Sequence, residues 1–188
     1  MLSTEKITYP CTMKNDFSIE LLIHSHNVAK VVSAMGEELN LSAKELDLLQ
    51  EAALYHDIGK SRVPEKILYK PGTLDPKEWK LMKKHAEDSE EIYLGKGKLS
   101  PRKRLIGKII RHHHENWDGS GYPDRIQRKE IPYFSRILKI ADVFDAMKQK
   151  RIYRRQPIPN VLEVMEGLVE SELDPELFYR CSGSLESF

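Results

Sequence analysis

The sequence predicts an all-α fold in a single domain, and three observations carry that prediction. Apolar residues recur at helical spacing in one segment after another, no stretch alternates apolar and polar residues like a half-buried strand, and helix-start signals precede the periodic runs. At 188 residues, 40% hydrophobic and 31% charged, the chain has the size of one ordinary globular domain. Such a chain buries roughly two-thirds of the surface that its unfolded form exposes, so it needs no disulfide or structural metal merely to fold. Any metal is therefore functional.

Residues 1–15 read as a lead segment, and the domain itself as 16–181. A first helix is expected over 16–40, with Ile19, Leu22, Ile23, Val28, Val31, Val32 and Met35 on its buried stripe. Ser42 and Glu45 spell a capping box, because the hydroxyl can accept a backbone N–H bond while the carboxylate reaches back to the Ser42 amide. The second helix starts there and runs through Leu46, Leu49 and Ala53 to Tyr55 or His56, with Gly59 as the permissive backbone of its end. Pro64 and Pro71-Gly72 make 62–73 a loop. Asp75-Pro76 with Glu78 opens another helix, bearing Trp79, Met82, Ala86 and Ile92 on one side. Ser100-Pro101 opens the next, with Leu105, Ile109 and Ile110, and it ends near His112. Glycines and prolines between Asn116 and Pro132 predict a long functional loop or a folded turn. Helices over 134–150 and 161–173 follow, then a short one opened by Asp174-Pro175. Residues 182–188, small and polar apart from Leu185 and Phe188, read as a flexible tail foreign to the domain.

Thirty Lys and Arg against 29 Asp and Glu leave a formal charge of +1, which offers no global field to attract DNA, RNA or an anionic membrane. Phosphate binding has to be local. Cys11 and Cys181 lie near opposite ends without metal-ligand spacing, and neither a signal peptide nor a bilayer-spanning apolar run is present, so a cytoplasmic protein without membrane insertion is expected.

Histidines and acids cluster. His56 is followed by Asp57, two ligand types that suit divalent first-row metals, and Glu20 and His24 stand four apart on a helix, stacked within ~6 Å along its axis. His113 and His114 would diverge by about 100° on a continuing helix and so reach different ions. Each feature alone is commonplace. In order, Glu20, His24, His56-Asp57, His85, His113-His114 and Asp142 fall on five predicted helices, several beside apolar stripes that should not bury unpaired polar groups. A shared cluster of two or more metals would compensate them together.

With their neighbours these residues resemble the HD-GYP family, a subgroup of the HD superfamily of metal-dependent phosphohydrolases. His24-Ser25 with Val28 is similar to that family's first His motif, and His56-Asp57-Ile58-Gly59-Lys60 to its namesake motif. Lys66-Ile67-Leu68, Lys70-Pro71-Gly72, Trp79, Met82 and His85 continue it. His113-His114-Glu115, Trp117-Asp118-Gly119 and Gly121-Tyr122-Pro123 match the signature loop, and Ala141-Asp142-Val143-Phe144-Asp145-Ala146 the late Asp motif, before Arg151 and Tyr153-Arg154. Several linked motifs in order are far more specific than any one alone. Asn116 and Ile152 depart from the pattern, where the family often has Arg and Pro.

The resemblance implies an HD-type helical bundle around a central metal site, and hydrolysis of cyclic di-GMP to pGpG and in many members to GMP. It implies His24, His56, Asp57, His85, His113, His114 and Asp142 as metal ligands, with Glu20 for a third ion, so three sites are favoured over two. Iron is preferred and manganese is the alternative, since the donors include no Cys. Asp57 is best placed to bridge two ions ~3.5–4 Å apart and hold a nucleophilic hydroxide between them. Lys60, three residues on, can reach a phosphate oxygen or the leaving 3′-oxygen, or simply favour a helix end. Tyr122 could stack on a guanine or hydrogen-bond within its loop, and Arg151 and Arg154 correspond to the family's grip on the dinucleotide phosphates. His26 and His112 are expected to be supporting or surface residues. Two other readings stay open: hydrolysis of another cyclic dinucleotide such as cyclic GMP-AMP, and a binding module that senses the dinucleotide or docks on a diguanylate cyclase through the Gly-Tyr-Pro loop.

Overall fold

The computed structural model describes residues 15–149 and 158–188, and these contain α-helices, two short 3-10 turns and a single isolated bridge, Val169 with Leu173, but no strand. The predicted all-helical class is the observed one.

Helix α1, Asn15–Glu38, ends where Asn40 takes a left-handed φ of 56°, a conformation that Asn tolerates better than most side chains. Its buried row is Leu21, His24, Ser25, Val28, Val31, Val32 and Met35, while Ile19 and Ile23 are more than half exposed. The expected stripe was thus rotated at its first turns. The inward face there is the one that carries His24, so the apolar residues beside it are left outside.

Helix α2, Ala43–Tyr55, has the predicted capping box: Ser42 Oγ accepts from the Glu45 amide and the Ser42 amide donates to Glu45 Oε2 at 2.8 Å. A 3-10 turn, Ile58–Arg62, leads into α3, Glu65–Leu68, a helical turn inside the predicted loop that is anchored by the buried Ile67. The helix expected after Asp75 is divided. Helix α4, Pro76–Lys83, is capped as predicted by Asp75 and Glu78, and α5, His85–Leu94, restarts after Lys84, while Trp79 stays exposed. Helix α6, Pro101–Arg111, buries Ile106, Ile109 and Ile110 and leaves Leu105 outside, contrary to the expected stripe.

Helix α7, Tyr133–Lys148, runs through the middle of the bundle, with Ile137, Leu138, Ile140 and Ala141 fully buried. Helix α8, Val161–Glu166, is shorter than the 161–173 expected, and the chain turns from Gly167 onward. Helix α9, Pro175–Glu186, corrects the expected flexible tail. Leu185 extends the buried row of Leu177, Phe178 and Cys181 by one more turn, and the Ser184 amide donates to Glu38 Oε2 at 3.0 Å. Helix α1 packs on α2, α7 and α9, α2 packs on α6, and α6 on α5. The resulting core is continuous from α1 to α9, and its α1, α2, α6 and α7 elements carry polar residues at one end.

Candidate metal centre

At that end the histidines are held by the ends of helices. His56 caps α2 and rests Nδ1 on the Ala53 carbonyl at 2.7 Å, His85 follows the break after α4 and rests Nδ1 on Met82 O at 2.8 Å, and His113 follows α6 with Nδ1 on Ile110 O at 2.5 Å. A carbonyl only accepts, so each Nδ1 carries the hydrogen and each Nε2 presents a lone pair. These three Nε2 atoms, with Asp57 Oδ1, are buried and lack a hydrogen-bond partner. Orphaned atoms of this kind cost roughly 1–3 kcal/mol each unless something compensates them. The carbonyl ends of helices also carry partial negative charge, which favours a cation.

Asp57 stands between two groups of donors. Its Oδ1 lies 3.3 Å from His85 Nε2 and 4.0 Å from His113 Nε2, while Oδ2 lies 3.4 Å from His56 Nε2 and 3.7 Å from His24 Nε2. Asp142 Oδ1 approaches His24 Nε2 to 3.0 Å and His56 Nε2 to 3.8 Å. Three sets of donor atoms lie within 4.8 Å of one another: Asp57, His85, His113 and His114; His24, His56 and Asp57; and His56, His113 and Asp142. The donors are imidazoles and carboxylates, the set that suits divalent transition metals, and their orphaned atoms converge. The residues present fit a metal cluster.

Charge is arranged to match. Burial pushes the Asp57 carboxyl upward, but the Lys60 ammonium and the neighbouring imidazoles outweigh it and hold Asp57 well below the usual range. Asp142 is likewise held low against its burial by His24 and His56. Burial and the nearby rings push His113 down to about 3 and His114 well below the ordinary value, so both stay neutral. Neutral imidazoles are the ones that can ligate.

His24, His56, Asp57, His85, His113, His114 and Asp142 are therefore brought together. His113 and His114 do not diverge as expected: α6 ends at Arg111, and the two rings lie 4.0 Å apart within one donor set. Glu20 is exposed on α1 and belongs to none of the three sets. Lys60 pairs with Asp57 Oδ2. Tyr122 stacks on His114 at 4.8 Å, with Lys83 over its ring at 5.8 Å, and it forms the wall of the centre. Arg151 and Arg154 lie outside the described residues. His26 is exposed, whereas His112 Nε2 lies 2.9 Å from Asp124 Oδ2, and Arg111 grips the same carboxylate at 2.7 Å on each oxygen. Glu115 Oε1 accepts the amides of Asp124 and Arg125 at 2.7 and 3.0 Å, so the signature loop is clamped from both sides. Asp145, which no sequence motif gives a role of its own, places Oδ2 2.6 Å from His24 Nδ1. Its signal was present, since it stands three residues after Asp142 on the same helical face.

The fold and these donors define an HD-type centre. The chain matches the HD domain over residues 12–177. It belongs to the HD-domain family. The 3′3′-cGAMP-specific phosphodiesterase 2 of Vibrio cholerae is 42% identical over 70% of this chain and 25% of its own length. The cyclic di-GMP phosphodiesterase of Thermotoga maritima is 37% identical over 82% of this chain and 42% of its own. The chain thus spans less than half the length of these relatives. Among solved structures, Bd1817, an HDG"Y"P protein from Bdellovibrio bacteriovorus, superposes with a TM-score of 0.70 at 19% identity, over 88% of this chain and 52% of that one.

Proposed function

We propose that the chain is a metal-dependent phosphodiesterase that hydrolyses cyclic di-GMP to pGpG. One observation supports it above the rest: the two oxygens of Asp57 face different histidines, as a carboxylate shared by two cations requires. Iron is the preferred metal and manganese the alternative. The described donors gather around Asp57, with His24 and His56 on one side and His85, His113 and His114 on the other, while Asp142 faces His24 and His56 and also shares a set with His113. Glu20 remains the candidate for a third ion. Divalent ions held by these residues would supply an acidified water near neutral pH and positive charge at the phosphoryl oxygens.

The chain's own residues orient the rest. Helix-end carbonyls fix the tautomers of His56, His85 and His113, so their lone pairs are aimed in advance. Lys60 donates to Asp57 Oδ2, which sets its ammonium beside those donors. From there the ammonium is placed to hydrogen-bond a phosphate oxygen or the 3′-oxygen as the P–O bond breaks. Tyr122 closes one wall over His114, and Arg151 and Arg154 are assigned to the phosphates by resemblance alone. Docking of the loop on a diguanylate cyclase gains no support from this inward packing.

A second reading, hydrolysis of cyclic GMP-AMP, is favoured by the V. cholerae relative named for that substrate. Iron- or manganese-loaded protein incubated with each dinucleotide, with products separated by chromatography, ranks the two. Asp57→Asn should lower turnover by at least ~10³-fold and leave the circular dichroism unchanged, because the shared carboxylate serves both cation positions. Binding of the dinucleotide without turnover at full metal occupancy would replace the enzyme reading with a sensing module.

A further inference from the structure

The four inner histidines are not supported alike. His56, His85 and His113 rest Nδ1 on neutral backbone carbonyls, whereas His24 Nδ1 faces the buried carboxylate of Asp145 at 2.6 Å. Two unprotonated acceptors do not approach that closely, so a proton lies between them and Nε2 is turned to the centre. Helix α7 therefore holds both nitrogens of one ring, Asp145 behind Nδ1 and Asp142 at 3.0 Å from Nε2, from residues one turn apart. The charge on the two sides of Asp57 is unequal as a result. The His24 side has Asp142 in front and Asp145 behind, while on the other side Asp57 is joined only by Asp142 near His113, and the Nδ1 atoms of His85 and His113 face neutral carbonyls.

We propose that Asp145 is a positioning residue that aims His24 Nε2 and makes the His24 side the tighter of two cation positions. This inference rests on the metal-centre reading above. A carboxylate behind a ligating imidazole fixes the ring and raises its basicity, and losing such a partner typically costs about 10–100-fold in metal affinity. Asparagine can still accept the Nδ1 proton but brings no charge, and alanine does neither, so the two replacements separate charge from aim.

The test is calorimetric titration of the metal-free protein with Mn²⁺, in the wild type and in Asp145→Asn, Asp145→Ala and Asp145→Glu. The wild type should show a tight and a weaker class of site. Asp145→Asn should weaken the tight class by about 10–100-fold and spare the weaker one, with Asp145→Ala worse and Asp145→Glu partly restored. A tight class unmoved by Asp145→Asn, or equal loss in both classes, overturns the proposal. Should the variants fail to fold, long-range ¹H–¹⁵N spectra of the Zn²⁺-loaded wild type decide it: a His24 hydrogen on Nδ1 supports the role, and one on Nε2 overturns it. A wild type that binds no Mn²⁺ removes the metal-centre reading itself, an outcome distinct from intact binding that ignores Asp145.

Discussion

Gly59 holds the namesake motif against α5 by having no side chain. A Cβ there would lie 2.2 Å from His85 O and 2.5 Å from Ser89 N, both backbone atoms, and the Gly59 amide donates to Ser89 Oγ at 2.8 Å. Gly59→Ala should therefore destabilise the protein by ~1–3 kcal/mol, seen as a lower denaturation midpoint, and should weaken metal binding because His85 moves with its carbonyl. The sequence reading put Gly59 at a helix end for conformational freedom, and the structure gives a different reason, close approach. The convergence of His and Asp was legible because polar residues recurring beside apolar stripes on separate helices need a common partner once buried. Asp145 was less so: its place one turn after Asp142 puts it on the same face, but only the fold brings it behind the His24 ring.

At the scale of the element, caps were the most legible feature. Ser42 with Glu45 and Asp75 with Glu78 both form the reciprocal bonds expected of them, since a capping box is decided within four residues. Ser42→Ala should cost ~1 kcal/mol of stability, measured by chemical denaturation, and leave Mn²⁺ affinity unchanged, because α2 loses its cap at the end remote from His56. The break after Lys84 was not legible. Periodicity runs across it from Trp79 to Ile92, while the Lys84 amide and the His85 ring both turn onto the Met82 carbonyl at the break. The exposed Ile19 and Ile23 show the same limit: apolar residues at helical spacing do not say which of two faces will meet the site.

For the molecule as a whole, the centre couples stability to pH. His113, pushed down to about 3, and His114, also lowered, stay neutral in the folded state, while the unfolded chain takes up protons below an ordinary His value of about 6.5. A depressed group contributes stability that is complete above the unfolded pKa and lost as pH falls toward the folded one. The raised His24, where hydrogen bonds to Asp142 and Asp145 overcome burial, works in the opposite direction and offsets part of that loss. With two depressed groups against one raised, the metal-free protein should melt at progressively lower temperature from pH 7 to pH 5, measured by calorimetry in chelator. Excess Mn²⁺ should raise the midpoint at pH 7 more than at pH 5, since protons compete for the same nitrogens. The all-helical class was legible at this scale because it needs only the dominant period, whereas the extent of α9 depended on one leucine meeting the core. Hanging His56, His85 and His113 from carbonyls three residues earlier has a last consequence for how such a chain can vary. One residue inserted within α2, α4 or α6 would swing the attached ring by about 100° away from its partners, so length changes are confined to the connectors between helices, and the reading frame of each helix is locked to the chemistry at its tip.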